Sequence, residues 1–370
     1  MRYYILAGEL SGDQHGAELI RAIKSLDPKA SFRGMAGDAC AAEGMEIQRH
    51  YNQQNVMGFS EILRHLPKLL RFLKESQKDL LAWKPDVVIP IDYPGFNLRM
   101  AKFAHRHGFP VDYFIPPQVW AWHSSRALKL KAYCRQIFCI LPFEPTFYAK
   151  YGVKATYVGN PLMRQISFIP IHERDRRTLL LMPGSRPMEI KKMLPVMLKA
   201  ASQLDEFEEV VVAGLEVVPK ELYTTAKAFP KVKVVFNETE HWLKKAGAAF
   251  ITSGTATLEG ALAGIPLVVC YKGHPLSVAI AKRLINVPFI SLVNLIGNQG
   301  IFTGEKGEAI VKECIQEACE PDRLVSALRD TLANTQVLME KYAYIRSQLG
   351  DAVGIEQAAK GIVHNSSTFP

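Results

Sequence analysis

Tyr3-Tyr4-Ile5-Leu6-Ala7-Gly8-Glu9-Leu10-Ser11-Gly12-Asp13 is the stretch that sets how the rest of the chain is read. An apolar, strand-forming run opens at once into a turn carrying glycines and acids, and a helical pattern follows. Such a turn stands at the carboxyl end of a first buried strand, where open α/β sheets collect their ligands. Its glycines let backbone approach a ligand closely, and Ser11 or Asp13 is placed to cap the following helix. An ordinary capped strand-to-helix turn would look the same, so its function has to be argued from the remaining chain.

Working outward, strand-type runs alternate with amphipathic segments. The first half reads as strands near 3–7, 86–91, 111–115 and 136–140, with helices near 13–26, 61–82 and 97–107. The second half reads as strands near 178–182, 209–213, 232–235, 248–251 and 266–271, with helices near 188–204, 219–228, 255–264, 321–333 and 335–348. This alternation predicts βαβ units and a parallel sheet in each half. The fold expected is therefore α/β, with two Rossmann-like domains whose sheets face an interdomain cleft. Gly159-Asn160-Pro161 and the stretch to Asp175 break the pattern, which puts the domains at 1–165 and 166–345. A last helix near 345–365 is a candidate to cross back onto the first domain.

Composition agrees with two globular domains: 370 residues, 48% hydrophobic and 22% charged. The excess of 45 basic over 36 acidic residues gives a net charge of +9, which favours an anionic partner. Six cysteines without CxxC spacing or a nearby histidine cluster read as reduced thiols and argue against a zinc site. Met1-Arg2 runs straight into the first strand, leaving no room for a signal peptide, and no apolar run is long enough to span a bilayer. The location expected is cytoplasmic, with or without attachment to a membrane surface.

Four loops carry chemistry. The strand ending at Ile91 delivers Asp92-Tyr93-Pro94-Gly95-Phe96-Asn97, and a carboxylate there suits a general base for an acceptor hydroxyl. Met182-Pro183-Gly184-Ser185-Arg186 sets a guanidinium at a strand's end, suited to clamping phosphate. Ser253-Gly254-Thr255-Ala256-Thr257-Leu258-Glu259 starts a helix with small residues and free N–H groups, a phosphate-binding arrangement. Glu259, one turn in, is positioned to accept from ribose hydroxyls. No Gly-Lys-Ser/Thr follows the glycines, which disfavours ATP hydrolysis. The segment Pro116-Pro117-Gln118-Val119-Trp120-Ala121-Trp122-His123 reads either as a sugar-stacking loop or as a packing wedge. His15, His123 and His274 carry no strong case.

Residues 57–74 form a basic amphipathic pattern. Phe59, Ile62, Leu63, Leu66, Leu70 and Leu73 share one face, and Arg64, His65, Lys68, Arg71 and Lys74 occupy much of the rest. Such a helix either lies in an anionic lipid interface or packs on the core. Pro67 predicts a kink or two short segments.

Taken in order, GELSGD at 8–13, NVMGFSEIL at 55–63, KPDVVIPIDYPGFN at 84–97, PPQVWAW at 116–122, LPFE at 141–144, YVGNPL at 157–162, MPGSR at 182–186, SGTATLEGALAGIPLVVCYK at 253–272 and SLVN at 291–294 resemble the lipid-A-disaccharide synthases. The likeness covers nearly the whole chain. It implies a GT-B glycosyltransferase needing no metal or other cofactor. The reaction implied joins UDP-2,3-diacylglucosamine to 2,3-diacylglucosamine 1-phosphate, giving the β-1,6-linked disaccharide 1-phosphate and UDP. Asp92 matches the family's catalytic aspartate, with inversion in a single displacement. Arg186, Ser253, Gly254, Thr255, Thr257 and Asn294 match groups that bind UDP, Glu9 and Ser11 match the first loop, and Glu313 and Gln316 match a uridine-side pattern. The resemblance also implies an anionic inner-membrane surface as partner, peripheral attachment there through 57–74, room for a homodimer, and no nucleic acid.

Some positions depart from the pattern. Gly95 stands where some members have a second aspartate, and Val293 replaces a usual proline. The segment between Asn294 and Val311 is longer, and His123-Ser124 replace a basic residue. Two alternatives remain from the residues alone. One is a UDP-sugar epimerase of the same build, and the other is a non-catalytic nucleotide-sugar sensor at the membrane.

Overall fold

The computed structural model describes the backbone of residues 1–54, 59–120, 126–273, 287–350 and 354–367, and their side chains except at 53, 54, 59–68 and 365–367. The chain divides into two compact units. Unit 1 comprises Met1–Pro161 with Val353–Pro370, and unit 2 is Leu162–Ala352.

Unit 1 contains a seven-stranded sheet built from β1 (Arg2–Ala7), β2 (Ser31–Ala36), β3 (Glu46–His50), β4 (Val87–Ile91), β5 (Asp112–Phe114), β6 (Gln136–Cys139) and β7 (Thr156–Tyr157). Its order is β3-β2-β1-β4-β5-β6-β7, and the paired strands run parallel. Helices α1 (Leu10–Leu26), α2 (Asp38–Ala42), α3 (Phe59–Trp83), α4 (Pro94–Arg106), α5 (Arg126–Tyr133) and α6 (Glu144–Ala149) follow the strands. β1 and β4 are buried along nearly their whole length because helices cover both sides. On one face Tyr3, Ile5 and Ile89 pack with Leu19, Ile20 and Ile23 of α1 and with Ile355, Ala358 and Ile362. The last three belong to the helix Gly354–Ser367, so the chain's end returns to unit 1. On the other face Tyr4, Leu6 and Val88 meet Phe72 and Leu80 of α3 and Met100 and Ala104 of α4.

Unit 2 repeats the plan with β8 (Asp175–Met182), β9 (Glu209–Gly214), β10 (Val232–Phe236), β11 (Ala246–Thr252), β12 (Leu267–Tyr271) and β13 (Lys312–Ile315). The order is β10-β9-β8-β11-β12-β13, again parallel. After the four-residue α7 (Leu162–Gln165), the helices α8 (Pro187–Ala201), α9 (Thr239–Lys245) and α10 (Thr255–Ala263) precede those at Leu292–Gly297, Pro321–Ala333 and Thr335–Leu349. In each sheet the strand order reverses between the first and fourth strands of the unit: β1 and β4 in unit 1, β8 and β11 in unit 2. A doubly wound sheet opens a crevice at that point, outside the carboxyl ends of the two strands.

Several local expectations are corrected. Helix α1 begins at Leu10, earlier than the sequence pattern predicts, with Glu9 at its N-cap and no side-chain cap. Neither Ser11 nor Asp13 caps it, because both lie inside its first turn. Asp13 instead turns away and accepts from the Gly37, Ala39 and Cys40 amides at 2.8, 3.0 and 3.1 Å, so it caps α2. Helix α4 begins at Pro94 rather than Asn97, since proline's fixed φ suits a first helical position. The stretch Lys220–Ala228 is 3₁₀, not α-helical.

Helix α3 runs through Pro67 without dividing into two segments. Phe59, Ile62, Leu63 and Leu66 lie outside the residues whose side chains are described. Leu70 is 45% exposed, whereas Leu73 is partly buried against the unit 1 core, which makes it a packing residue. Among the described residues no helix is long and apolar enough to cross a membrane. All six cysteines are free.

Candidate functional residues at the switch point of each unit

In unit 1 the crevice is walled by the turns after β1 and β4. Gly8 follows β1, and a Cβ there would lie 2.3 Å from the Tyr93 ring, so glycine is required for the two turns to close together. Glu9 and Ser11 are exposed at this edge. Asp92 follows β4 with φ 45°, and Tyr93 has φ 47°, two consecutive left-handed residues that are not glycine. The Asp92 amide donates to Ile115 at 3.1 Å. Its carbonyl accepts from Tyr113 Oη at 2.6 Å and from Asn97 Nδ2 at 2.8 Å. Burial, then the nearby Glu9 charge, push the Asp92 carboxyl up to about 6, with the Tyr93 amide opposing them. A carboxyl raised to about 6 at the end of a buried strand suits a base at that edge. The N-cap residue of α4 is Tyr93, whose own side chain makes no cap, and the backbone bond that lowers the Asp92 carboxyl comes from the Tyr93 amide.

A second carboxyl in unit 1 escaped the sequence reading. Glu144 is buried, accepts from the Leu141 amide at 3.1 Å and from Trp120 Nε1 at 3.3 Å, and is pushed up to about 8 by burial. It thereby ties the Pro116–Trp120 segment to the turn after β6, which makes Trp120 a packed wedge rather than a stacking surface. LPFE at 141–144 contains this residue, but nothing local in that tetrapeptide shows that the acid points inward. Trp122 and His123 lie outside the described residues, as does His274.

In unit 2 the corresponding turns follow β8 and β11. Gly184 has φ +117°, and a Cβ there would fall 2.7 Å from Glu189. Glu189 reaches back to the Ser185 and Arg186 amides at 3.1 and 3.3 Å and to the Arg186 guanidinium at 3.2 Å. That bracket fixes the backbone while leaving the Arg186 side chain 80% exposed. Across the crevice, Gly254 is the N-cap of α10 without a side-chain cap, and Gly254 and Thr255 are exposed. The first amides of α10 and an exposed guanidinium therefore edge one crevice, an arrangement able to receive a diphosphate. Thr257 is buried, with its hydroxyl on the Gly254 carbonyl at 2.8 Å. Glu259 is half-buried, and burial raises its carboxyl.

The opposite end of α10 is anchored by a residue that sequence reasoning missed. Arg174 is buried and donates to the carbonyls of Ile169, Leu243, Lys244 and Ala246 at 3.2, 2.8, 3.2 and 3.1 Å, and also to that of Ala263. Leu243 and Lys244 close α9, and Ala263 closes α10, so one guanidinium satisfies the negative ends of two helices. Burial lowers its pKa to about 10. Arg346 adds a bond to the Leu262 carbonyl at 3.0 Å.

Asn294 and Glu313 form a framework. The Asn294 amide donates to Val311 and to Glu313 at 3.0 and 2.8 Å and accepts from Ile310 and Val311 at 2.8 and 2.9 Å, so its four hydrogen-bonding positions are all engaged inside unit 2. Glu313 also accepts from the Ile290 and Ser291 amides at 3.1 and 3.0 Å. Ser253 Oγ donates to the Ile290 carbonyl at 3.1 Å. This chain of bonds links the turn after β11 to β13. Gln316 follows β13 with φ 56° and is half-buried. Among the described residues no group of three or more His, Cys, Asp or Glu is placed to hold a metal ion.

Two parallel-sheet units, each with an equipped switch point, define the GT-B fold class. Solved structures agree at the level of fold. The glycotransferase of kitacinnamycin superposes with TM-score 0.62 at 14% identity, covering 99% of this chain and 98% of that one. A putative UDP-N-acetylglucosamine 2-epimerase from Listeria monocytogenes gives TM-score 0.66 at 13% identity, covering 100% and 97%. Fold alone therefore does not separate transferase from epimerase. Sequence does: residues 3–360 match the family model described as lipid-A-disaccharide synthetase. The lipid-A-disaccharide synthase of Myxococcus xanthus (strain DK1622) is 34% identical over 379 residues, covering 98% of this chain and 97% of that protein. The chain belongs to the lipid-A-disaccharide synthase family. It is a glycosyltransferase of lipid A disaccharide formation, and neither the epimerase nor the sensor reading is favoured.

Proposed function

We propose that the enzyme transfers the 2,3-diacylglucosaminyl group of UDP-2,3-diacylglucosamine to the 6-hydroxyl of 2,3-diacylglucosamine 1-phosphate, inverting the anomeric centre. Unit 1 takes the acceptor and unit 2 the donor. Asp92 accepts the hydroxyl proton as O6 attacks C1, the bond from C1 to the β-phosphate oxygen breaks, and UDP leaves with the electron pair. Arg186 and the α10 amides at Gly254 and Thr255 stabilise the charge that develops on the diphosphate. Glu9 and Ser11 line the acceptor side, with Ser253, Glu259 and Gln316 on the nucleotide side. Thr257, Asn294 and Glu313 hold the donor site's frame. Asp92 carries this reading: it leaves β4 at the unit 1 switch point on left-handed backbone, and burial with the nearby Glu9 charge raises its carboxyl to about 6.

Peripheral binding to an anionic membrane surface belongs to the same proposal. It is supported by exposed Leu70 beside exposed Arg71 and Lys74 on α3 and by the net charge of +9. Leu70→Ser should weaken sedimentation with anionic vesicles. The central experiment supplies the purified protein with both acylated monosaccharides and follows products by mass spectrometry. The disaccharide 1-phosphate and UDP are expected only when both are present. Conversion of unacylated UDP-N-acetylglucosamine to an epimer, with no disaccharide formed, would overturn the proposal.

A further inference from the structure

We infer that Tyr113 and Asn97 are positioning residues for the reaction: together they clamp the carbonyl of Asp92 and hold its backbone in the left-handed conformation that presents the carboxylate at the switch point. The inference rests on the reading of Asp92 as the base. Left-handed backbone is disfavoured for residues other than glycine, less so for aspartate than for tyrosine, and Asp92 and Tyr93 adopt it in succession. Strain of this kind persists only where the surroundings over-determine it.

The surroundings here can be named. Tyr113 is wholly buried on β5 and its hydroxyl donates 2.6 Å to the Asp92 carbonyl. Asn97 is wholly buried on α4, and the two protons of its Nδ2 are shared among the carbonyls of Leu6 of β1 at 3.0 Å, Ile91 of β4 at 3.0 Å and Asp92 at 2.8 Å. One amide thereby stitches the two strands that flank the crevice and the residue emerging from it. The arrangement leaves Asn97 Oδ1 buried without a partner among the described residues, a cost that core packing alone does not explain. From below, the Asp92 amide is held by the carbonyl of Ile115, itself at φ 55°. Backbone on both sides of the Asp92 Cα is therefore held by Tyr113, Asn97 and Ile115, which sets the direction of its Cα–Cβ bond.

The test compares Tyr113→Phe, Asn97→Ala and Asp92→Asn with wild type, alone and combined, for kcat, KM of each acylated sugar and the pH dependence of kcat/KM. Tyr113→Phe keeps the ring and removes only the donor, so the fold is retained, which a thermal melt verifies. Expected is a fall in kcat of about tenfold, the effect of one hydrogen bond to a strained group. The UDP-sugar KM should stay unchanged and the acidic limb should be displaced. In the Asp92→Asn background Tyr113→Phe should have no further effect on residual turnover. Full turnover by Asp92→Asn overturns the reading of Asp92 as base. An inactive Asp92→Asn beside a Tyr113→Phe with wild-type kcat and wild-type acidic limb overturns the positioning inference alone. A Tyr113→Phe effect that persists undiminished in the Asp92→Asn background also overturns it, since the residue would then act through general stability.

Discussion

The switch points of the two units have the same topology and opposite chemistry. In unit 1 the crevice between β1 and β4 offers carboxylates, Glu9 on extended backbone and Asp92 on left-handed backbone, and is closed by the Tyr93 ring over Gly8. In unit 2 the crevice between β8 and β11 offers an exposed guanidinium and uncapped helix amides. A parallel sheet dictates where a ligand sits, but only the side chains decide whether that place takes a proton or holds an anion. Strain follows the same division. A base needs one aim, so its backbone is clamped. An anion site needs only a field, so α10 is anchored at its far end and left open at the near one.

The sharpest way to break this comparison is to remove one key residue from each crevice. Asp92→Asn should lower kcat by about 10²–10⁴-fold, the usual contribution of a general base, with UDP-sugar affinity unchanged. Arg186→Ala should weaken donor binding by about 10- to 100-fold through loss of a charge-assisted hydrogen bond, and should lower kcat as well because the guanidinium also meets the charge developing on the departing diphosphate. Steady-state kinetics together with calorimetric titration of the UDP-sugar would separate the two. Were Asp92→Asn to weaken UDP-sugar binding, or Arg186→Ala to leave it unchanged, the division of labour would be wrong.

Next in size is the anchor of α10. Arg174→Leu leaves buried carbonyls at the ends of α9 and α10 without a donor, at a cost of about 3 kcal/mol or more. Urea unfolding should show that loss, whereas removing the exposed Arg186 should leave stability nearly unchanged. Equal stability losses would mean that α10 does not depend on its buried end.

Much of this arrangement was legible in the sequence, and what was missed shares a cause. Apolar runs ending in glycine, acid or arginine announced the turns after β1, β4, β8 and β11, because strand periodicity and turn chemistry are local signals. Strands β2, β3, β7 and β13 were not announced. Ser31–Ala36, Glu46–His50, Thr156–Tyr157 and Lys312–Ile315 are short or interrupted by polar residues, and three of the four are edge strands. The roles of Asp13, Tyr113 and Arg174 were equally hidden, since their partners lie tens of residues away in the chain. Asn294 was expected at the UDP site only through the family resemblance, and the bonds that engage its amide on all sides come from segments meeting only in three dimensions.

A smaller effect concerns stability. Asp92 has its carboxyl raised to about 6 in the folded chain, against roughly 4 when unfolded. The folded state therefore binds this proton more tightly. The residue's contribution to stability is fully present below the unfolded value and is lost as pH rises through 6. Asp92→Asn should consequently be no more stable than wild type near pH 4 but should gain between pH 4 and 6 and hold that gain above. Thermal melts across this range check the sign, and a constant difference would show that Asp92 carries no such penalty.

The least effect, and the finest test of how the unit 1 crevice is tuned, comes from Glu9. Burial is the larger cause of the raised Asp92 carboxyl and the Glu9 charge the second, so Glu9→Gln should shift the acidic limb of kcat/KM downward only slightly. Salt separates the two causes. Glu9 is exposed, and its field is screened as the Debye length falls from about 10 Å at 0.1 M to about 3 Å at 1 M, whereas burial is indifferent to ionic strength. The wild-type limb should therefore drift downward with added salt and approach that of Glu9→Gln, which should itself stay still. If the wild-type limb ignores salt while the variant's limb is displaced, Glu9 acts on Asp92 through the shape of the turn after β1 and not through its charge. The two crevices would then differ in geometry more than in electrostatics.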